Sequence, residues 1–258
     1  MADIRIVFFD IDGTLLVPHA KQISPKTRQT LLELHRKGIR ICIATGRAPV
    51  YLPDFGNIPF DAYVTYNGSY CFNARETILS NPLSSQDVQT LIKNATAIGR
   101  PVSLATKDRL AANGVEQDLA DYYALSHLTL EAADDFEAVA HEDVYQLMLG
   151  CREADFPAIM KNVTNAKIAI SWDRAIDIIP ANGGKGAGIR RVLAYYGLDA
   201  AQALAFGDSH NDIEMLQAVG TGVAMGNASP ALKAVADEVC ESVEQDGIYR
   251  YCLAHSLL

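Results

Sequence analysis

Two carboxylates one residue apart, Asp10 and Asp12, stand beside Gly13 and Thr14 directly after the apolar run IRIVFF at 4–9. Oxygen donors at this spacing suit Mg2+, which usually takes one or two carboxylates and completes its shell with water and substrate phosphate. The same DIDGT also fits a solvated turn or a calcium loop, so its chemistry depends on what the rest of the chain brings beside it. Thr45-Gly46-Arg47 closes a second apolar run, where a hydroxyl and a backbone N–H could hold phosphate oxygens. Thr-Gly after a strand is more often simply a turn or helix cap. Lys185, within NGGKGAG, could set an ammonium on a phosphate without bulky neighbours, or lie on the surface as lysines usually do. The run lacks the spacing of a nucleoside triphosphate P-loop. GDSHND at 207–212 follows the apolar ALAF and adds Asp208 and Asp212, of which Asp208 could complete a cation's ligand set.

These residues fall at the ends of elements that the hydrophobic pattern makes legible. IRIVFF reads as a buried strand. Ser24-Pro25 offers an N-cap and a proline for the first helical turn, Leu31, Leu32 and Leu34 an apolar face, and Gly38 a stop, so a helix is predicted over about 25–37. IRICIA at 39–44 is a second strand, and strand–helix–strand implies parallel pairing. The alternation returns late, with a helix in GKGAGIRRVLAYYG, a strand at 203–206, a helix in DIEMLQAVG and a short strand near 222–224. Ligands of open parallel sheets bind outside the carboxyl ends of the strands, where all four segments lie. Between them, at 82–179, the texture changes to two helical stretches, SSQDVQTLIKNATAIG and EADFPAIMKNVTNA, and strand-like VYQLML and AIDII. The turn-rich Asn81-Pro82 and 180–184 suit the two crossings of an inserted module, giving a core of 1–81 and 180–258.

The 258 residues are 49% hydrophobic, enough to bury a sizeable core, and the formal charge of −9 disfavours nucleic acid as a partner. Five scattered cysteines without paired spacing suggest neither a disulfide framework nor zinc. With no signal-peptide pattern and no long apolar run, the expectation is a soluble cytoplasmic protein with no membrane partner and no obligate protein partner. The absence of heptads makes a monomer the default. The histidines lack metal spacing, and Trp172, Arg152 and Met148 fit structural roles in the inserted module as well as substrate contact.

The order DIDGTLL, ATGR, GGKGAG and GDSHND resembles the haloacid dehalogenase (HAD) superfamily, in particular its Cof-type phosphatases with a large C2B-like cap, and the resemblance covers nearly the whole chain. It implies an α/β fold, a Rossmann-like parallel-sheet core that is catalytic and an inserted α+β cap that selects substrate. It implies Asp10 as nucleophile and Asp12 as general acid/base. Ile11 (through its backbone), Thr45, Gly46, Lys185 and Asn211 would bind phosphate. Asp10, Asp208 and the Asp12 backbone carbonyl would hold Mg2+, with Asp212, Arg47 and Asn67 in support. The implied activity is hydrolysis of a small phosphorylated metabolite, such as a sugar phosphate, flavin mononucleotide or pyridoxal phosphate, through an aspartyl-phosphate. Asp12 favours phosphoryl chemistry over dehalogenation. A phosphomannomutase-like phosphotransferase and a non-catalytic phosphometabolite-binding protein are the alternatives.

Overall fold

The computed structural model describes residues 3–170 and 172–258. In chain order the elements are β1 (Ile6–Phe9), α1 (Pro25–Arg36), β2 (Arg40–Ala44), β3 (Ala62–Thr65), β4 (Tyr70–Phe72), β5 (Thr77–Ser80), α2 (Ser85–Ala97), β6 (Ser103–Ala105), β7 (Leu110–Ala112), α3 (Gln117–Leu125), α4 (Phe136–Val139), β8 (Gln146–Gly150), α5 (Phe156–Ile159), β9 (Ala166–Ala169), β10 (Ala175–Pro180), α6 (Lys185–Tyr196), β11 (Ala203–Gly207), α7 (Ile213–Leu216), β12 (Thr221–Ala224), α8 (Pro230–Lys233), β13 (Glu238–Val239) and α9 (Gly247–Ala254). The chain divides into two compact units, one comprising residues through Thr45, Pro53–Ser80 and Lys185–Leu258, the other Gly46–Leu52 and Asn81–Gly184. The second unit thus begins one residue before the expected 82–179, ends five residues after it, and takes in the separate stretch 46–52.

In the first unit, eight strands among the described residues form one sheet in the order β13-β12-β11-β1-β2-β3-β4-β5. Ile6, Val7, Phe8 and Phe9 are all fully buried, as a central strand covered on both faces requires. Phe9 pairs in parallel with Phe206 on one side and Ile43 on the other, so β1, β2 and β11 end at one level. From β1 the chain runs outward through β2 and β3, then returns to β11 on the other flank and continues to β12 and β13. The strand order therefore reverses at β1, the position at which doubly wound sheets bind ligands. The sheet is not wholly parallel: β4 and β5 add an antiparallel edge beyond β3. These short strands carry too few residues for period-2 alternation to stand out in the sequence.

Helix α1 forms as its punctuation predicts. Ser24 Oγ accepts from Thr27 N at 3.0 Å, Pro25 opens the helix, and Gly38 follows its end at φ 79°. Leu31 and Leu34 pack inward, but Leu32 is exposed, because one residue further on lies about 100° round the helix from Leu31.

The second unit has a five-stranded antiparallel sheet in the order β7-β6-β8-β10-β9. Its core joins Val88, Leu91 and Ala95 of α2 to Leu104, Leu147, Leu149, Ile176 and Ile178 of the strands. The helix expected in EADFPAIMKNVTNA is largely absent: only Phe156–Ile159 is α-helical, and β9 begins at Ala166. Asn162 turns left-handed at φ 61°, and the N–H groups of Thr164 and Asn165 donate to Asp87 of α2 at 3.0 and 3.1 Å. A tertiary acceptor thus takes the donors that a continuing helix would have used. DIEMLQAVG also forms only a short helix, α7. No helix among the described residues is long and apolar enough to cross a membrane.

Candidate active site

Asp10 directly follows β1 and is held to the neighbouring strand by its N–H, which donates to the Phe206 carbonyl at 3.0 Å. The chain then turns back sharply, with Leu15 N and Leu16 N donating to Ile11 O at 3.0 and 2.8 Å, and Gly13 N to Leu16 O at 2.9 Å. Gly13 is required twice: its φ is 85°, and a Cβ there would come 2.3 Å from Asp208 Oδ2. The turn buries Asp10 and Ile11 and leaves Asp12 exposed.

Lys185, at the start of α6, is fully buried, which removes the surface-lysine alternative. Its Nζ donates to Asp10 Oδ1 and to Asp212 Oδ1, each at 2.6 Å. Asp212 is buried as well, and its other oxygen accepts the N–H groups of Asp208 and Ser209, both at 3.0 Å, which shapes the loop after β11. Asp208 accepts from Ser209 Oγ at 3.3 Å and Thr14 Oγ1 at 3.4 Å, tying the two strand-end loops together. One oxygen each from Asp10, Asp208 and Asp212 lies within 4.8 Å of the others.

Burial pushes Asp10 well above the usual carboxylate range; Lys185 opposes this, while Asp212, Asp208 and Asp12 add to it. Burial likewise lifts Asp208 to about 7, with Asp212 adding to the rise and Lys185, Ser209 and Thr14 opposing it. Burial alone would weaken the hold of Lys185 on its proton, but Asp10 and Asp212 reverse that, and its pKa is raised. One buried cation therefore faces an excess of carboxylates. A small hard divalent cation suits this donor set, being all oxygen and net negative. The set contains Asp10, Asp208 and Asp212; the Asp12 carboxylate is outside it, and the expected contribution of Asp12 is its backbone carbonyl.

Thr45 continues from β2, buried, with its N–H donating to Val64 O at 2.8 Å and its carbonyl accepting from Asn67 N at 3.0 Å. Asn67 Oδ1 in turn accepts from Asn211 Nδ2 at 2.9 Å. Gly46 and Arg47 belong to the second unit, where Gly46 O accepts from Gln146 Nε2 at 3.3 Å and Arg47 donates to Tyr51 O at 3.4 Å. Asn227 is a residue that the sequence pattern did not single out. Its Nδ2 donates to Gly13 O at 2.8 Å and its Oδ1 accepts from Val243 N at 2.9 Å, so one amide clamps the turn that carries Asp12. Its only sequence signal is a lone asparagine after a strand, too common to read.

Residues 7–252 match the family of haloacid dehalogenase-like hydrolases. YkrA of Bacillus subtilis (strain 168) is 33% identical over 263 residues, covering 95% of this chain and 95% of that protein. The pyridoxal phosphate phosphatase YbhA of Escherichia coli (strain K12) is 26% identical over 274 residues, covering 97% and 98%. Among solved structures, the HAD subclass IIB sugar phosphatase BT4131 superposes with a TM-score of 0.89 at 26% identity, covering 98% of this chain and all of that one. With nearly its whole length matched and its four motif segments gathered at the ends of β1, β2 and β11 and the start of α6, the chain belongs to the haloacid dehalogenase-like hydrolase family.

Proposed function

We propose that this hydrolase is a Mg2+-dependent phosphatase of small phosphorylated metabolites, with Asp10 as the nucleophile and Asp12 as the general acid/base. The observation that carries the proposal is the buried Lys185 held against Asp10 and Asp212, with Asp208 alongside. Pure phosphate binding needs no carboxylate at the centre of such a cluster. Nucleophilic phosphoryl transfer does, together with charges fixed in advance around the transferring group.

Asp10, Asp208 and the Asp12 carbonyl would hold the Mg2+, with Asp212 close enough to share the task. When bound, the ion supplies neutralising charge for a reaction between two anions. Lys185 opposes the rise that burial imposes on the Asp10 carboxyl and would offer its ammonium to a phosphate oxygen. Asp10 attacks phosphorus as the ester bond breaks, and Asp12 gives its proton to the departing oxygen. Asp12 then takes a proton from water, which attacks the phosphorus of the aspartyl-phosphate, freeing inorganic phosphate and restoring Asp10. Thr45, the Ile11 backbone and Asn211 are assigned to the phosphate oxygens, and a reducing cytoplasm is the compartment suggested by five cysteines, all free and buried.

Substrate class follows the relatives only broadly, since one acts on pyridoxal phosphate and another on sugar phosphate. The test is phosphate release from sugar phosphates, flavin mononucleotide, pyridoxal phosphate and nucleotides, with Mg2+ or EDTA. Release that requires Mg2+ supports the proposal and ranks the substrates. Isomerised sugar phosphate without net release would replace it with the mutase reading.

A further inference from the structure

Three consecutive residues after β3 are left-handed: Tyr66 at φ 51°, Asn67 at φ 49° and Gly68 at φ 87°. Glycine tolerates this region, but a bulky aromatic there is an outlier and survives only where its surroundings hold it. Tyr66 is fully buried, Asn67 nearly so, and α6 packs on the turn closely enough that a Cβ on Gly188 would come 3.0 Å from Gly68 Cα.

The conformation gives Asn67 two partners on opposite flanks of β1. Its N–H donates to the Thr45 carbonyl at the end of β2, at 3.0 Å. Its side-chain oxygen accepts from Asn211 Nδ2, in the loop after β11, at 2.9 Å. Asn211 Oδ1 is buried without a hydrogen-bond partner among the described residues, so the bond to Asn67 is what fixes the orientation of the Asn211 amide.

We propose that Asn67 is a positioning residue that couples the two loops assigned to phosphate, orienting the Asn211 amide and anchoring Thr45 so that both meet one phosphoryl group. This rests on the phosphatase reading above. The turn Tyr66–Gly68 is strained because one residue has to satisfy a backbone acceptor on one side of β1 and a side-chain donor on the other.

Asn67→Gly tests the claim, since glycine accepts the left-handed backbone and keeps the N–H to Thr45 while removing the side-chain acceptor for Asn211. The affinity for inorganic phosphate in Mg2+, by titration calorimetry, and KM and kcat for p-nitrophenyl phosphate are compared in wild type, Asn67→Gly, Asn211→Ala and the double variant. We expect Asn67→Gly to weaken phosphate binding and raise KM about tenfold, as loss of an orienting hydrogen bond to a charged ligand's partner would. In the Asn211→Ala background the same substitution should cost less than about twofold, the non-additivity of residues acting through one bond. As a second variant, Asn67→Asp keeps an acceptor, so Asn211→Ala must still lower affinity in that background. Wild-type phosphate affinity in Asn67→Gly, or effects that simply multiply, would overturn the inference while leaving the phosphatase reading intact. Failure of that reading would instead show in the wild type, as neither phosphate affinity nor release, and would remove both.

Discussion

Lys185 concentrates the electrostatics of the site in one side chain. It pairs with Asp10 and Asp212 at 2.6 Å in a setting where none of the three is exposed. Replacing it with methionine keeps the bulk and leaves two buried carboxylates unpaired, which costs roughly 3–5 kcal/mol. Urea denaturation should show that loss at neutral pH, and it should shrink on acidification as the Asp10 carboxyl, already raised by burial, takes up a proton; a stability unchanged at pH 7 would show that the pair is not buried in solution. Gly13→Ala tests the neighbouring contact: a Cβ 2.3 Å from Asp208 Oδ2, at φ 85°, must displace the carboxylate or the turn. Turnover should fall at least about tenfold with the fold retained, since misplacing a group by an ångström costs that much or more. At this scale the sequence named the carboxylates and the lysine through the ordered set they form, since each segment alone also fits a turn or a surface position. Asn227 and the strained Tyr66 were hidden, and of Thr14 only its place beside the carboxylates was legible, because their roles come from backbone geometry and partners far along the chain.

The elements matter through their register. With Phe9 opposite both Phe206 and Ile43, the residues that follow each strand emerge together, which is why segments far apart in the sequence can act on one group. Strong apolar runs and a capped helix made β1, β2, β11 and α1 legible. The antiparallel edge β4–β5 and the truncated α5 were not, being short or set by tertiary partners. Asp87 is one such partner. Although burial raises its carboxyl, the bonds from Thr164 N, Ser84 Oγ, Asn165 N and Thr164 Oγ1 outweigh it and hold the group below its usual range. A carboxyl depressed on folding stabilises the protein above its unfolded pKa, near 3.9, and the benefit disappears as pH falls through the folded value. Asp87→Asn should therefore cost roughly 1–3 kcal/mol at pH 7, as an acceptor for the Thr164–Asn165 turn is lost. The gap to wild type should narrow below about pH 4. A gap that is constant with pH in chemical denaturation would show that the charge of Asp87 is not involved.

For the molecule as a whole, a formal charge of −9 sits with a site built around its own excess of carboxylates, which is compatible with a small anionic substrate only where cations gather at the reacting group. The arrangement of four motifs carried the family, the α/β core and an inserted module, because a set in fixed order is far more specific than any member. The choice of substrate left no such mark in the sequence, since a fold and its motifs fix the chemistry of a site more than its substrate. The central claim is that the phosphoryl group passes through Asp10, and acid-quenched single turnovers followed by peptide mass spectrometry test it most directly. A phosphoryl group on the peptide carrying Asp10, absent from Asp10→Asn together with turnover, is the predicted result. Full turnover in Asp10→Asn, with the protein folded, would contradict it.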